Sequence, residues 1–204
     1  VSAREHWQNV YETKQPAEVS WYAPHLEESL RLITEVATTD ARIIDVGAGA
    51  STLVDDLLER GYRRLTALDV SGAALAVTRA RLGPRAARVT FVAADVTTAP
   101  LGEAAFDVWH DRAVFHFLVD AAARAAYVAQ LRRALAPGGH VVMATFAPTG
   151  PTRCSGLDVA RYDAAGVARE LGDGFVVTAS LETTHVTPAG KEQRFSYARL
   201  RRTR

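Results

Sequence analysis

The sequence predicts an α/β fold, a doubly wound and mostly parallel seven-stranded sheet with helices on both faces and an antiparallel C-terminal hairpin. Three observations predict it. From Arg42 onward, short β-branched runs alternate with helical patterns; a glycine-rich turn follows the first run; and two long strand patterns at the end are joined across Thr187-Pro188-Ala189-Gly190. Alternating strands and helices give a parallel sheet covered on both faces, whereas two closely linked strands pair antiparallel.

Residues 1–24 read as an arm or cap. They are polar and aromatic, carrying Trp7, Tyr11, Trp21 and Tyr22, and Pro16 and Pro24 interrupt any long helix. The arm is expected to be a poor independent helix and a mobile lid. Between His25 and Val36 the apolar residues Leu26, Leu30, Ile33 and Val36 recur at helical spacing, which predicts an amphipathic helix leading into a single body, residues 25–204.

Within that body, Arg42 to Val46 predicts a strand, GAGAS a tight turn, and Ser51 to Arg60 a helix. Leu65 to Val70, Val89 to Ala93, Phe106 to Trp109 and His140 to Phe146 predict further strands. Helices are expected over Gly72 to Leu82 and over Ala121 to Leu135, the second stopped by Pro137-Gly138-Gly139. A Pro- and Gly-rich stretch from Pro148 to Leu157 precedes a short helix at Ala164 to Leu171. Strands at Phe175 to His185 and Gln193 to Leu200 close the chain.

Composition narrows the function. The chain has 204 residues, 48% of them hydrophobic, enough for one substantial core. Lys and Arg number 24 against 23 for Asp and Glu, so the net charge is +1. No broad field gathers phosphates, which argues against nucleic acid as a partner. The cluster Arg199, Arg201, Arg202 and Arg204 reads as a solvated chain end. Cys154 is the single cysteine, which suits a reducing, cytoplasmic setting. No apolar run approaches the roughly 20 residues that span a bilayer, so no membrane association is expected. No cluster has metal-site spacing, and no metal is expected.

In an open parallel sheet, ligands bind beyond the carboxyl ends of the strands, where Asp45, Asp69, Asp95 and His110 should converge. Gly47 and Gly49 let the backbone approach a ligand that a β-carbon would displace. Asp69 ends its strand about 20 residues beyond the glycines, where a carboxylate accepts hydrogen bonds from both ribose hydroxyls. A nicotinamide dinucleotide would share those two features. However, the third glycine of its fingerprint would fall at Thr52, and Asp45 suits an ammonium group better than a pyrophosphate.

The motifs DVGAG, LDVS, AADV and LAPGGHVV, in that order, resemble those of class I S-adenosylmethionine-dependent methyltransferases, over roughly Arg42 to Leu200. The resemblance implies a Rossmann-like domain with S-adenosyl-L-methionine as cofactor. It places the methionine portion near Asp45, Gly47 and Gly49, the ribose on Asp69 and the adenine amino group on Asp95. Ala48, Val70 and Val96 lie in the same motifs, and His110 follows the fourth strand as a further cofactor neighbour. The arm resembles the aromatic caps of some small-molecule and protein-lysine methyltransferases. Tyr11 and Trp21 would then face the sulfonium, with a cation–π contribution of about 0.5 to 2 kcal/mol per ring.

Candidates on the acceptor side are Tyr22, Asp111, Arg112, His116, Arg153 and Arg161. For Asp111 and Arg112 a buried ion pair is the plainer expectation, and for His116 a satisfied core histidine. In-line attack on a sulfonium needs no dedicated base, since positioning alone is worth about 7 to 11 kcal/mol, and no catalytic residue is assigned. A small-molecule acceptor at O, N or S is the leading expectation, and a protein lysine is the alternative, which an open acidic groove would favour. An NAD-dependent oxidoreductase and a non-catalytic nucleotide-binding module complete the alternatives. The sequence does not name the acceptor or the oligomeric state.

Overall fold

A computed structural model describes residues 2–203, so Val1 and Arg204 of the expected arm and basic tail lie outside the described residues. Helix α1 (Ala3–Thr13), which the sequence reading did not assign, opens the described structure. Its N-terminus is closed by a capping box: the Ser2 hydroxyl accepts from the Glu5 N–H at 3.2 Å, and the Glu5 carboxylate accepts from the Ser2 N–H at 2.8 Å. The prolines fall after this helix, not within it. Helix α2 (Glu27–Thr34) then leads to strand β1 (Arg42–Val46) and helix α3 (Leu53–Glu59).

Strand β2 (Arg64–Asp69), helix α4 (Gly72–Leu82) and strand β3 (Val89–Ala93) complete the first half. The second contains β4 (Phe106–Arg112), α5 (Ala121–Ala134) and β5 (Leu135–Phe146), then helix α6 (Ala164–Leu171) and strands β8 (Phe175–Val186) and β9 (Glu192–Arg202). Side chains of Ser71, Asp120 and Asp163 accept the first N–H groups of α4, α5 and α6, which sets where these helices start. The stretch expected to be irregular after β5 folds a two-stranded hairpin, β6 (Arg153–Cys154) against β7 (Leu157–Asp158).

The main sheet has seven strands in the order β3-β2-β1-β4-β5-β9-β8. Strands β1 to β5 run parallel, β9 is antiparallel to β5, and β8 is antiparallel to β9. One core, centred on Leu32, Ile33, Ile43 and Leu57, fills one face; the other, around Trp109, Tyr127, Leu131 and Met143, fills the opposite face. At the entry end of the strands, Arg42 Nη2 meets Asp107 Oδ1 at 2.7 Å and holds that carboxyl below its ordinary range, so Asp107 ties β1 to β4. The basic tail is part of this sheet. Arg199 lies within β9, and its Nη1 reaches Glu35 Oε2 at 2.5 Å, which corrects the expectation of a solvated end. Among the described residues no helix is long and apolar enough to cross a membrane.

Candidate functional site

The carboxyl ends of β1, β2 and β4 meet the turn 47–52, and the chain takes this path because of two glycines. Gly47 and Gly49 have φ of +67° and +51°, a region that L side chains rarely adopt. Space is equally restrictive: a β-carbon on Gly47 would lie 2.0 Å from Val114 Cγ2, and one on Gly49 would lie 2.4 Å from the Tyr11 hydroxyl. Backbone strain and steric exclusion therefore coincide at this turn.

Asp69 is held by two N–H groups. Oδ2 accepts from Gly49 at 2.9 Å and Oδ1 from Ser71 at 2.8 Å. Burial pushes its pKa up to about 6, against the lowering effect of those bonds, and the nearby Asp45 charge pushes the same way as burial. On β1, Asp45 Oδ1 lies 2.7 Å from His110 Nδ1, and His110 Nε2 lies 2.8 Å from the Ser29 hydroxyl, so the carboxylate is oriented through the ring from α2. Its other oxygen, Oδ2, is buried without a partner. Asp95 is exposed, with Oδ1 accepting from the Thr97 N–H at 2.8 Å and the Thr97 hydroxyl at 2.7 Å.

These groups border two adjoining recesses. The larger, of about 210 Å³, has Gly47, Asp69, Val70, Asp95 and Val96 along one side. Trp7, Tyr11 and Trp21 of the arm lie over it, while Phe117, Phe146 and Phe195 line it with Arg112 and Gln193. The smaller, of about 50 Å³, is bordered by Tyr22, Asp45, Ala48 and His110, and shares Tyr11, Trp21, Gly47 and Arg112 with the first. Gly49 borders neither; its N–H is turned into the Asp69 carboxylate.

A family model described as a methyltransferase domain matches residues 43–139. Among solved structures, the chain is similar to Burkholderia thailandensis 1,6-didemethyltoxoflavin-N1-methyltransferase, at 24% identity and a TM-score of 0.73, covering 98% of this chain and 87% of that one. It is also similar to the N-methyltransferase NodS from Bradyrhizobium japonicum, at 18% identity and a TM-score of 0.74, covering 98% and 100%. At those identities the likeness is one of fold. The match places a methyltransferase domain over residues 43–139, on the Rossmann-like fold of the class I S-adenosylmethionine-dependent methyltransferases. A curated relative, the eEF1A lysine and N-terminal methyltransferase of Danio rerio, is 26% identical over 149 residues, 72% of this chain. The chain spans 21% of that relative's length.

The methyltransferase-domain match argues against the oxidoreductase reading that Thr52 already opposed. In this methyltransferase the Thr52 hydroxyl instead donates to the Pro24 carbonyl at 2.7 Å and ties the arm to the start of α3. Trp7 of the arm both borders the larger recess and packs edge-on against Phe117 and Trp21, with centroids 5.0 and 5.5 Å away.

Of the acceptor-side candidates, Tyr22 and Arg112 border the recesses and four do not. Asp111 makes no ion pair with Arg112, because consecutive strand residues point to opposite faces. It is buried with its carboxylate accepting from the Tyr127 hydroxyl at 2.5 Å and from the Val114 and Phe115 N–H groups, which braces the loop after β4. Burial pushes its pKa up to about 6. His116 is inside the protein against Phe146 and Phe117, and burial draws its pKa down to about 3. Arg153 pairs with Asp158 at 3.2 Å, and Arg161 donates to the Gly150 carbonyl; both are surface groups of the segment after β5.

The residues missed from sequence are Val114, Phe117, Phe146, Gln193 and Phe195. A signal existed for the last two. On β9, residues 193, 195 and 197 alternate onto one face, and the hairpin returns that face to the same end of the sheet.

Proposed function

We propose that this domain transfers a methyl group from S-adenosylmethionine to an O, N or S atom of a small molecule. The observation that carries the reading is the junction of a carboxylate-lined turn with a recess walled by aromatic rings. The residues present fit the donor. The unpartnered Asp45 Oδ2 suits an ammonium group, Asp69 suits two ribose hydroxyls, and the exposed side of Asp95 suits an adenine amino group. Gly47 and Ala48 border the recesses where the chain of the donor would lie, Gly49 acts through the N–H it gives to Asp69, and Val70 and Val96 offer apolar contact to the base.

The donor supplies an electrophilic methyl carbon: the acceptor's lone pair forms the new bond to it, the carbon–sulfur pair returns to sulfur, and the acceptor's proton leaves to water. The protein's part is positioning and exclusion of water. Tyr11 and Trp21 present rings over the turn, where a sulfonium gains from their faces, and Trp7 packed on Phe117 shields part of the recess from solvent. Residues 1–24 act as the cap in this reading, over a domain of residues 25–204. Burial pushes the Cys154 thiol up, which keeps it protonated and suits a reducing cytoplasmic setting.

Isothermal calorimetry with S-adenosylmethionine and S-adenosylhomocysteine tests the donor site, and labelled methyl transfer to metabolite fractions tests the acceptor class. Binding of NAD in place of both sulfur compounds would refute the reading. A protein lysine acceptor is favoured by the likeness to the Danio rerio lysine and N-terminal methyltransferase. It predicts label in lysate protein and none in metabolites. An aromatic recess with an arginine on its wall supports the small-molecule reading over the open acidic groove expected for lysine.

A further inference from the structure

Arg112, the last residue of β4, reaches toward β9. Its guanidinium lies 4.6 Å over the Phe195 ring, donates from Nε to the Tyr197 hydroxyl at 3.3 Å, and donates from Nη1 to the Trp21 carbonyl at 3.0 Å. All of these partners are uncharged. Among the described residues no carboxylate forms an ion pair with Arg112, although the side chain is half-buried on the wall of the aromatic recess. A partly desolvated guanidinium is costly without a counter-ion, and its planar fork matches a carboxylate.

Gln193 supplies a second, independent observation. It follows Tyr197 and Phe195 along the same face of β9 and borders the same recess. The residue is 9% exposed, and its Oε1 is buried without a hydrogen-bond partner. An amide left unsatisfied inside a protein is destabilising, and a ligand that completes it gains affinity. The recess thus offers one cation and one unsatisfied amide between aromatic walls. It offers no acidic side chain on the β5 and β9 side.

We propose that the acceptor is a small carboxylic acid with an aromatic body, its carboxylate held by Arg112, a second polar group by Gln193, and its ring packed among Phe117, Phe146 and Phe195. This rests on the small-molecule reading above. The carboxylate is the anchor and another heteroatom of the acid takes the methyl group, because pairing with a guanidinium engages the carboxylate lone pairs. Arg112 also borders the smaller recess beside Asp45 and His110, so a carboxylate there has a second source, the methionine portion of the donor.

The test uses calorimetry on the full chain saturated with S-adenosylhomocysteine. Salicylate, 4-hydroxybenzoate and anthranilate serve as probes, each against its methyl ester. At least one acid is expected to bind about tenfold or more tightly than its ester, as befits a charge-assisted pair. Arg112→Gln is expected to abolish that preference while changing the dissociation constant of S-adenosylhomocysteine by less than about twofold. Arg112→Lys, which keeps the charge without the fork, should retain part of the preference. If Arg112→Gln does not fold, Gln193→Glu places a competing carboxylate in the recess and should remove the preference instead. Acids and esters binding alike, no acid binding at millimolar concentration, or a preference that survives Arg112→Gln or Gln193→Glu each overturn the proposal. So does a loss of about tenfold or more in S-adenosylhomocysteine affinity on Arg112→Gln, which would assign the guanidinium to the donor's own carboxylate. Failure of the unaltered chain to bind S-adenosylhomocysteine is a separate result, and it removes the donor site itself.

Discussion

The proposed donor side of the cleft and its proposed acceptor side are built differently. On the donor side each carboxylate is oriented close to its own strand end: Asp69 by Gly49 and Ser71, Asp95 by Thr97, and Asp45 by His110 on the adjoining strand. The acceptor side is gathered from α1, the loop after β4, β5 and β9, and its aromatic rings meet across long stretches of chain. Polar groups aimed at a ligand need rigid local backbone, whereas an apolar wall needs only shape, which many segments can supply. The proposed acceptor side can therefore change without disturbing the turn proposed to hold the donor.

The largest expected effect comes from separating the two sides. Removing residues 1–24 takes away Trp7, Tyr11 and Trp21, and single-turnover methyl transfer should fall by about a hundredfold or more, since misplacement on the scale of an ångström has that consequence. Thermal unfolding should shift far less, because the sheet and both cores lie within residues 25–204. Loss of folding on truncation would show that the arm is structural. Hydrogen exchange sharpens the point, because amides of α1 should gain protection when S-adenosylhomocysteine binds.

Two buried aspartates with the same raised pKa offer the next contrast. Asp69 faces the recess, while Asp111 is engaged by Tyr127 and two N–H groups on the opposite face of β4. Asp69→Ala should weaken S-adenosylhomocysteine by about tenfold or more in a protein with native circular dichroism, while Asp111→Asn leaves the affinity unchanged. Equal effects would erase the distinction between the two faces.

The pH dependence should divide in the same way. Both folded pKa values are raised to about 6, so the folded state holds these protons more tightly than the unfolded chain. The stability they contribute is fully present below the unfolded carboxylate range and is lost as pH rises through about 6. Cofactor affinity runs the other way, because the ribose hydroxyls need ionised Asp69. At pH 5 it should be roughly a tenth of its value at pH 8. Calorimetry and thermal unfolding over that range should give opposite slopes from these groups, and Asp111→Asn should flatten only the stability curve.

The smallest effect tests the face away from the recess. Tyr127 accepts from Trp109 Nε1 at 2.8 Å and donates to Asp111. Tyr127→Phe leaves both without that partner and should destabilise the protein by about 1 to 3 kcal/mol in denaturant unfolding. S-adenosylhomocysteine affinity should stay as it was. A change in affinity would mean that the loop after β4 transmits the lower face to the cleft.

Much of this architecture was legible because its signals are local. The β-branched run of β1, the helix α4 and the strand β3 coincide with their expected limits, since each depends on side-chain alternation and turn chemistry over a few residues. The glycines of the turn and the aspartates closing β1 and β2 were equally visible, because a positive φ and a strand end each restrict the residue allowed there. One local signal was present and overlooked, the Ser2 and Glu5 capping box that makes α1 a helix. Packing alone decided the rest. Asp111 and Arg112 are neighbours in sequence, yet the pleat sends one into the core with Tyr127 and the other to Phe195 and Tyr197 on a strand more than eighty residues away. Which face a side chain occupies follows from the strand, but what waits for it there depends on which distant segments the sheet brings alongside.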